Sequence, residues 1–180
     1  MKTRRKRGLW QIGIGLILLL VTGGAYWGKD RDPLVSDFIS CAEAGYPIME
    51  SYPRQCKTPE GQSFKEDIGN ELEKDNLIRI AEPRPNGRIS SPLVVKGVAR
   101  GNWFFEASFP VRLLDAEGRE LAVAVAQAKD EWMTTEFVPF EATIIFEKPS
   151  VTSGTLVLEK DNPSGLPEHD DELTIPVRFR

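Results

Sequence analysis

The chain has 180 residues, with 23 Lys and Arg against 27 Asp and Glu and a formal net charge of −4. That length suits one ordinary domain with accessories and excludes two full-sized ones. Hydrophobic residues make up 41% and charged residues 28%, which excludes a wholly disordered chain. The charge is unevenly placed. Lys2, Arg4, Arg5, Lys6 and Arg7 lead the sequence, and no Asp or Glu precedes Asp30. Without those five, 18 basic residues face 27 acidic ones, a net of −9. An acidic remainder argues against nucleic acid as a partner, because phosphate binding needs clustered Lys and Arg.

After the basic tail at 1–7, residues 8–27 read GLWQIGIGLILLLVTGGAYW, without a charge. Twenty helical residues span about 30 Å, the thickness of a bilayer's hydrocarbon core. Trp10 near one end and Tyr26 and Trp27 at the other suit the membrane interface. The basic flank belongs on the cytoplasmic side, so the C-terminal part is expected outside. The expectation is a single-pass transmembrane helix with the lipid bilayer as its partner. A signal peptide cleaved after Ala25, giving a secreted form, is the competing reading. The apolar run exceeds the roughly 7–15 residues of a signal core.

Residues 28–36 read as a spacer. Residues 37–67 hold Cys41 and Cys56, the only two cysteines. Outside the cytoplasm, two cysteines this close predict a disulfide. It would staple a segment too small to bury a core of its own. Zinc would need more ligands than two cysteines and the single, distant His169 supply. Phe38, Ile39, Ile48, Met49, Tyr52 and Phe64 are expected to form a small apolar cluster. Residues 68–76 are charged, contain Gly69 and Asn70, and read as a linker or short solvated helix.

From Leu77 the period becomes two. Phe105, Ala107, Phe109, Val111 and Leu113 alternate with polar residues and Pro110, which predicts a strand with one apolar face. Phe140, Ala142, Ile144 and Phe146 repeat the pattern, as do Leu173, Ile175, Val177 and Phe179. Weaker runs lie at 77–81, 93–99, 121–126 and 155–159. Turn signals fall at 85–87, 100–102, 115–118, 153–154 and 163–165. About seven short strands at this spacing predict an antiparallel, immunoglobulin-like β-sandwich over 77–180. Pro110 and Pro176 are expected at edges or bulges.

Two stretches carry resemblances. Residues 41–56 read CxxxGxPxxESxPxQC, with GxxF at 61–64, and resemble a short cysteine motif of bacterial envelope proteins. Residues 91–121 read SPLxVxGxARGxWFFEAxFxVxLxDxxGxxL. With the closing strand at 173–179, they resemble the immunoglobulin-like domain of bacterial spore germination and related envelope proteins. The resemblance implies an immunoglobulin-like sandwich in the bacterial envelope. It implies no catalytic mechanism and no cofactor.

The candidate surface residues are few. Trp103, Phe104 and Phe105 could offer an aromatic platform, with Phe105 inward and Phe104 outward. A core cluster with one covering ring is the plainer reading. The run Glu168, His169 and Asp170 lies in an acidic loop that offers oxygens to calcium but matches no EF-hand pattern. A solvated turn is the plainer reading there. Asp115 and Glu117 read as solubilising a hairpin turn. No GxSxG elbow accompanies His169, and no HExxH or phosphate-binding glycine loop occurs. The expected role is a non-catalytic binding or structural module of the envelope, with cell-wall or envelope proteins as partners. An envelope protease inhibitor or an accessory subunit of a membrane complex is the alternative.

Overall fold

The computed structural model describes residues 34–180. The expected basic tail and transmembrane helix lie outside the described residues, and among those described no helix is long and apolar enough to cross a membrane. Asp37 sets the first element. Its carboxylate accepts from the Ser40 amide at 2.7 Å, and the Ser40 hydroxyl accepts from the Asp37 amide at 3.1 Å. This reciprocal capping box starts helix α1, Phe38–Glu43. Strands β1 (Ile48–Met49), β2 (Gln55–Lys57) and β3 (Ser63–Lys65) follow as a three-stranded antiparallel sheet.

Cys41 of α1 and Cys56 of β2 form the disulfide. Both are fully buried, and with Phe38 they make up the interior of this small unit. The wider apolar cluster expected here does not form. Ile48, Met49 and Tyr52 are exposed. So short a segment cannot cover six large side chains, and the cystine replaces them.

Polar contacts tie this unit to the strands beyond it. Arg54 donates to both Glu66 carboxylate oxygens, at 2.8 and 2.6 Å, and the Asn86 amide adds a third donor at 3.3 Å. Glu66 is buried. Burial works to raise its pKa, but the Arg54 and Asn86 hydrogen bonds outweigh it and hold the carboxyl below its ordinary value of 4.5. A lowered folded pKa stabilises the fold above the unfolded value, and the contribution is lost as pH falls through the folded one. Wild-type stability is therefore expected to fall more steeply below pH 4.5 than that of Glu66→Gln. Urea midpoints measured from neutral to acid pH would check this, and parallel curves would refute it.

Tyr52 makes a parallel set of contacts. Its hydroxyl donates to Glu71 and accepts from Arg84 at 2.7 Å. Burial and then the Glu71 carboxylate push that hydroxyl up to about 12.

Helix α2 (Glu71–Lys74) leads into strands β4 (Ile78–Glu82), β5 (Arg88–Ile89), β6 (Leu93–Arg100), β7 (Ser108–Asp115), β8 (Glu120–Ala128), β9 (Phe137–Ile144), β10 (Ser153–Glu159) and β11 (Glu172–Phe179). They hydrogen-bond in the order β4-β6-β9-β8-β7-β10-β11-β5. The expectation of about seven antiparallel strands in two sheets needs correcting. There are eight strands in one continuous, curled sheet, and β5 pairs with β11 in parallel. The sheet turns over at β8 and β9, which share only two paired positions, Gln127 with Glu141 and Ala128 with Phe140. The two halves then face each other, as the layers of a sandwich do. Phe109 of β7 meets Phe140 of β9 edge to face, with ring centroids 4.9 Å apart.

The alternation predicted the core strands well. Phe109, Val111 and Leu113 are buried, as are Phe140, Ala142, Ile144 and Phe146, and Leu173, Ile175 and Val177. The turn expected at Ser153-Gly154 is instead the start of β10, where the Phe179 ring and the Leu114 carbonyl leave no room for a Cβ and the glycine serves close approach rather than a turn. Asp115 does more than solubilise. It is buried and accepts from the Glu117 and Arg119 amides, each at 2.9 Å, so it shapes the β7–β8 turn.

Candidate functional site

Three connections gather at one end of the sandwich. They are residues 101–107 between β6 and β7, 129–136 between β8 and β9, and 160–171 between β10 and β11. The backbone stitches them together. The Asp161 amide donates to the Trp103 carbonyl at 3.0 Å, and the Ala128 amide donates to the Ala107 carbonyl at 2.8 Å. At Gly101 an added Cβ would lie 1.9 Å from the Thr134 carbonyl oxygen and 2.2 Å from that of Trp132. No larger residue fits between these loops. Arg100 straps the same end, donating to the Asn76 and Thr135 carbonyls at 3.2 and 3.0 Å.

The aromatic run does not lie as the alternation implied. Residues 101–103 form a 3-10 turn that breaks the strand register. Trp103 and Phe104 are both buried, so neither offers a surface. Phe104 instead packs on Phe109, with centroids 5.2 Å apart. Phe105, expected inward, is 40% exposed.

Phe105 and Ser108 exchange both backbone hydrogen bonds, at 3.0 and 3.1 Å, which closes a two-residue turn. Glu106 and Ala107 carry it at φ 50° and 61°. Turns of this kind favour Asn-Gly, because both central residues need positive φ. Glu-Ala accepts strain there, and the usual turn signal is missing from the sequence. Ala107→Gly is expected to stabilise the fold by about 1 kcal/mol. The check is a higher urea midpoint at unchanged slope, and a lower midpoint would remove the argument for strain.

The acidic loop is organised around Asn162. Its side-chain amide donates to the Leu166 carbonyl at 2.8 Å and to Asp170 at 2.7 Å. Lys160 donates to the His169 carbonyl at 3.1 Å, and Lys74 pairs with Asp171 at 2.5 Å. Glu168, His169 and Asp170 are all exposed. Among the described residues, no group of three or more His, Cys, Asp or Glu is placed to hold a metal ion. Asp170 also lines an open cleft of about 520 Å³ with Asn70, Glu73, Lys74, Glu159 and Lys160. Glu168, His169, Trp103 and Phe104 take no part in it.

The candidate residues 103–105 and 168–170 all fall at this end of the molecule, where Phe105, Glu168, His169 and Asp170 are exposed and Trp103 and Phe104 are buried. Besides Phe105, the exposed apolar residues there are Met133 and Leu166. Neither belongs to an alternating run, so periodicity offers no signal for them.

The residues from Leu77 on thus form a curled sheet closed on an apolar core, with its connections gathered at the ends. Residues 77–165 match the family model of the immunoglobulin-like domain of bacterial spore germination. No curated protein and no solved structure gives a significant match.

Proposed function

We propose that this protein is a non-catalytic binding or structural component of the bacterial cell envelope, tethered by residues 8–27 with its immunoglobulin-like domain outside the cytoplasm. The observation that carries the reading is the fully buried Cys41–Cys56 disulfide, which belongs to an oxidising compartment. The uncharged twenty-residue run behind a basic flank supports the same topology. The family match supports a module that binds or builds, and a role related to germination is open to the same chain. The alternative of a protease inhibitor draws little from the disulfide segment. Ile48 and Met49 are paired with Cys56 and Gln55 in a hairpin, and Tyr52 is pinned by Glu71 and Arg84, so no free extended loop is displayed.

Protease added to spheroplasts tests the topology. The full-length chain is expected to stay in the membrane pellet through alkaline carbonate washing and to lose its C-terminal domain to external protease. A domain protected until lysis, or a shortened chain released into the medium, would sink the tethered reading.

A further inference from the structure

At the loop end, each of the three connections raises one large apolar side chain into solvent. Phe105 is 40% exposed, Met133 75% and Leu166 49%. Single exposed apolar residues are ordinary, but one on each of three adjoining loops calls for an explanation. The loops also share a charge. They carry eight carboxylates against Lys129 and Lys160, a net of −6. Six of those carboxylates are exposed: Glu106, Asp130, Glu131, Glu136, Glu168 and Asp170. The opposite end differs. Its connections hold Arg84, Arg119, Lys148 and Arg180 against Glu117 and Glu147.

We infer that the loop end is a docking surface for a basic protein segment whose Lys or Arg residues alternate with apolar side chains. This rests on the reading of the chain as a binding module and names its surface and partner class. The apolar tips supply contact area, and the carboxylates select the sign of the partner. A strained turn at Glu106-Ala107 holds Phe105 out, and strain of this kind is retained where the geometry is used. The same charge repels anionic wall polymers and anionic lipid surfaces, so those are not the occupants. The small disulfide unit stands elsewhere, with Glu43 2.6 Å from Arg178 near the far end of β11, which leaves the three loops uncovered by it.

The test uses the full chain in zwitterionic nanodiscs and a fluorescent twelve-residue Lys-rich peptide with interspersed leucines. A Glu-rich peptide of the same pattern and phosphatidylglycerol vesicles are the comparison probes. The Lys-rich peptide is expected to bind. The combined Glu106→Lys, Asp130→Lys and Glu168→Lys variant is expected to weaken it about tenfold or more, and Met133→Ser about threefold. Glu147→Lys at the opposite end is expected to leave it unchanged. Binding is also expected to weaken as salt rises. Equal binding by the triple variant, no binding of the Lys-rich peptide, or preference for the Glu-rich peptide or the vesicles would overturn the inference. Incorporation into the discs is read separately by size exclusion. A chain left outside the discs would count against the tether alone, and peptide binding is then measured on it in solution.

Discussion

Replacing Phe109 with alanine is expected to lower stability by about 3–5 kcal/mol. Phe109 is fully buried and touches both halves of the curled sheet. It stands on β7, and its ring meets Phe140 of β9 at 4.9 Å and Phe104 at 5.2 Å, edge to face in both cases. Alanine removes the ring and leaves a void lined by residues held in hydrogen-bonded strands, which cannot collapse to fill it. Against a typical total of about 5–15 kcal/mol, such a loss brings the domain close to unfolding at room temperature. Urea denaturation would measure it. A loss below about 1 kcal/mol would mean that the two halves do not share one core.

Gly69→Ala is expected to cost about 2–5 kcal/mol, from two separate causes. Gly69 sits at φ +64°, and an added Cβ would lie 1.9 Å from the Thr174 carbonyl oxygen. That oxygen belongs to the backbone of β11, so it cannot swing aside. Gly45 makes the comparison clean. It has φ +79° but nothing within 4 Å of the added atom, so Gly45→Ala should carry only the strain, about 1 kcal/mol. Equal losses in the two variants would show that the close approach to β11 contributes nothing.

Legibility in the sequence followed periodicity. Strands that bury one face, such as Phe109 to Leu113 and Leu173 to Val177, declare themselves by alternation. The two-residue β5 has no period to read, and its parallel pairing with β11 depends on a long-range return of the chain. Phe104 and Phe105 exchange roles because the 3-10 turn at 101–103 shifts the register by rotation; the turn signal at 100–102 marks the break but not how far it rotates the chain. The Cys41–Cys56 pair was legible from compartment and spacing. The partners of Glu66 and Glu71 were not, since Arg54, Arg84 and Asn86 are brought together only by the fold. The exposed tips Met133 and Leu166 belong to connections, where exposure is set by what the neighbouring loops leave uncovered.

The last strand has a further consequence. β11 is paired with β10 on one side. Its other side is served piecemeal. The Thr174 amide donates to the Asn70 side chain at 2.8 Å, and the Asn70 amides reach the Thr174 and Glu172 carbonyls at 3.2 and 2.9 Å. The Asn86 amide takes the Pro176 carbonyl at 2.7 Å, and the Arg178 amide finds the Gly87 carbonyl at 3.0 Å. A sheet margin is normally a template for another chain. Here residues 69–89, β5 included, occupy that margin group by group, so β11 is expected to behave in hydrogen exchange as an interior strand would. The matched stretch 77–165 includes neither β11 nor Asn70, so a protein cut to those bounds would carry an open margin along β10 and would be prone to assemble through it.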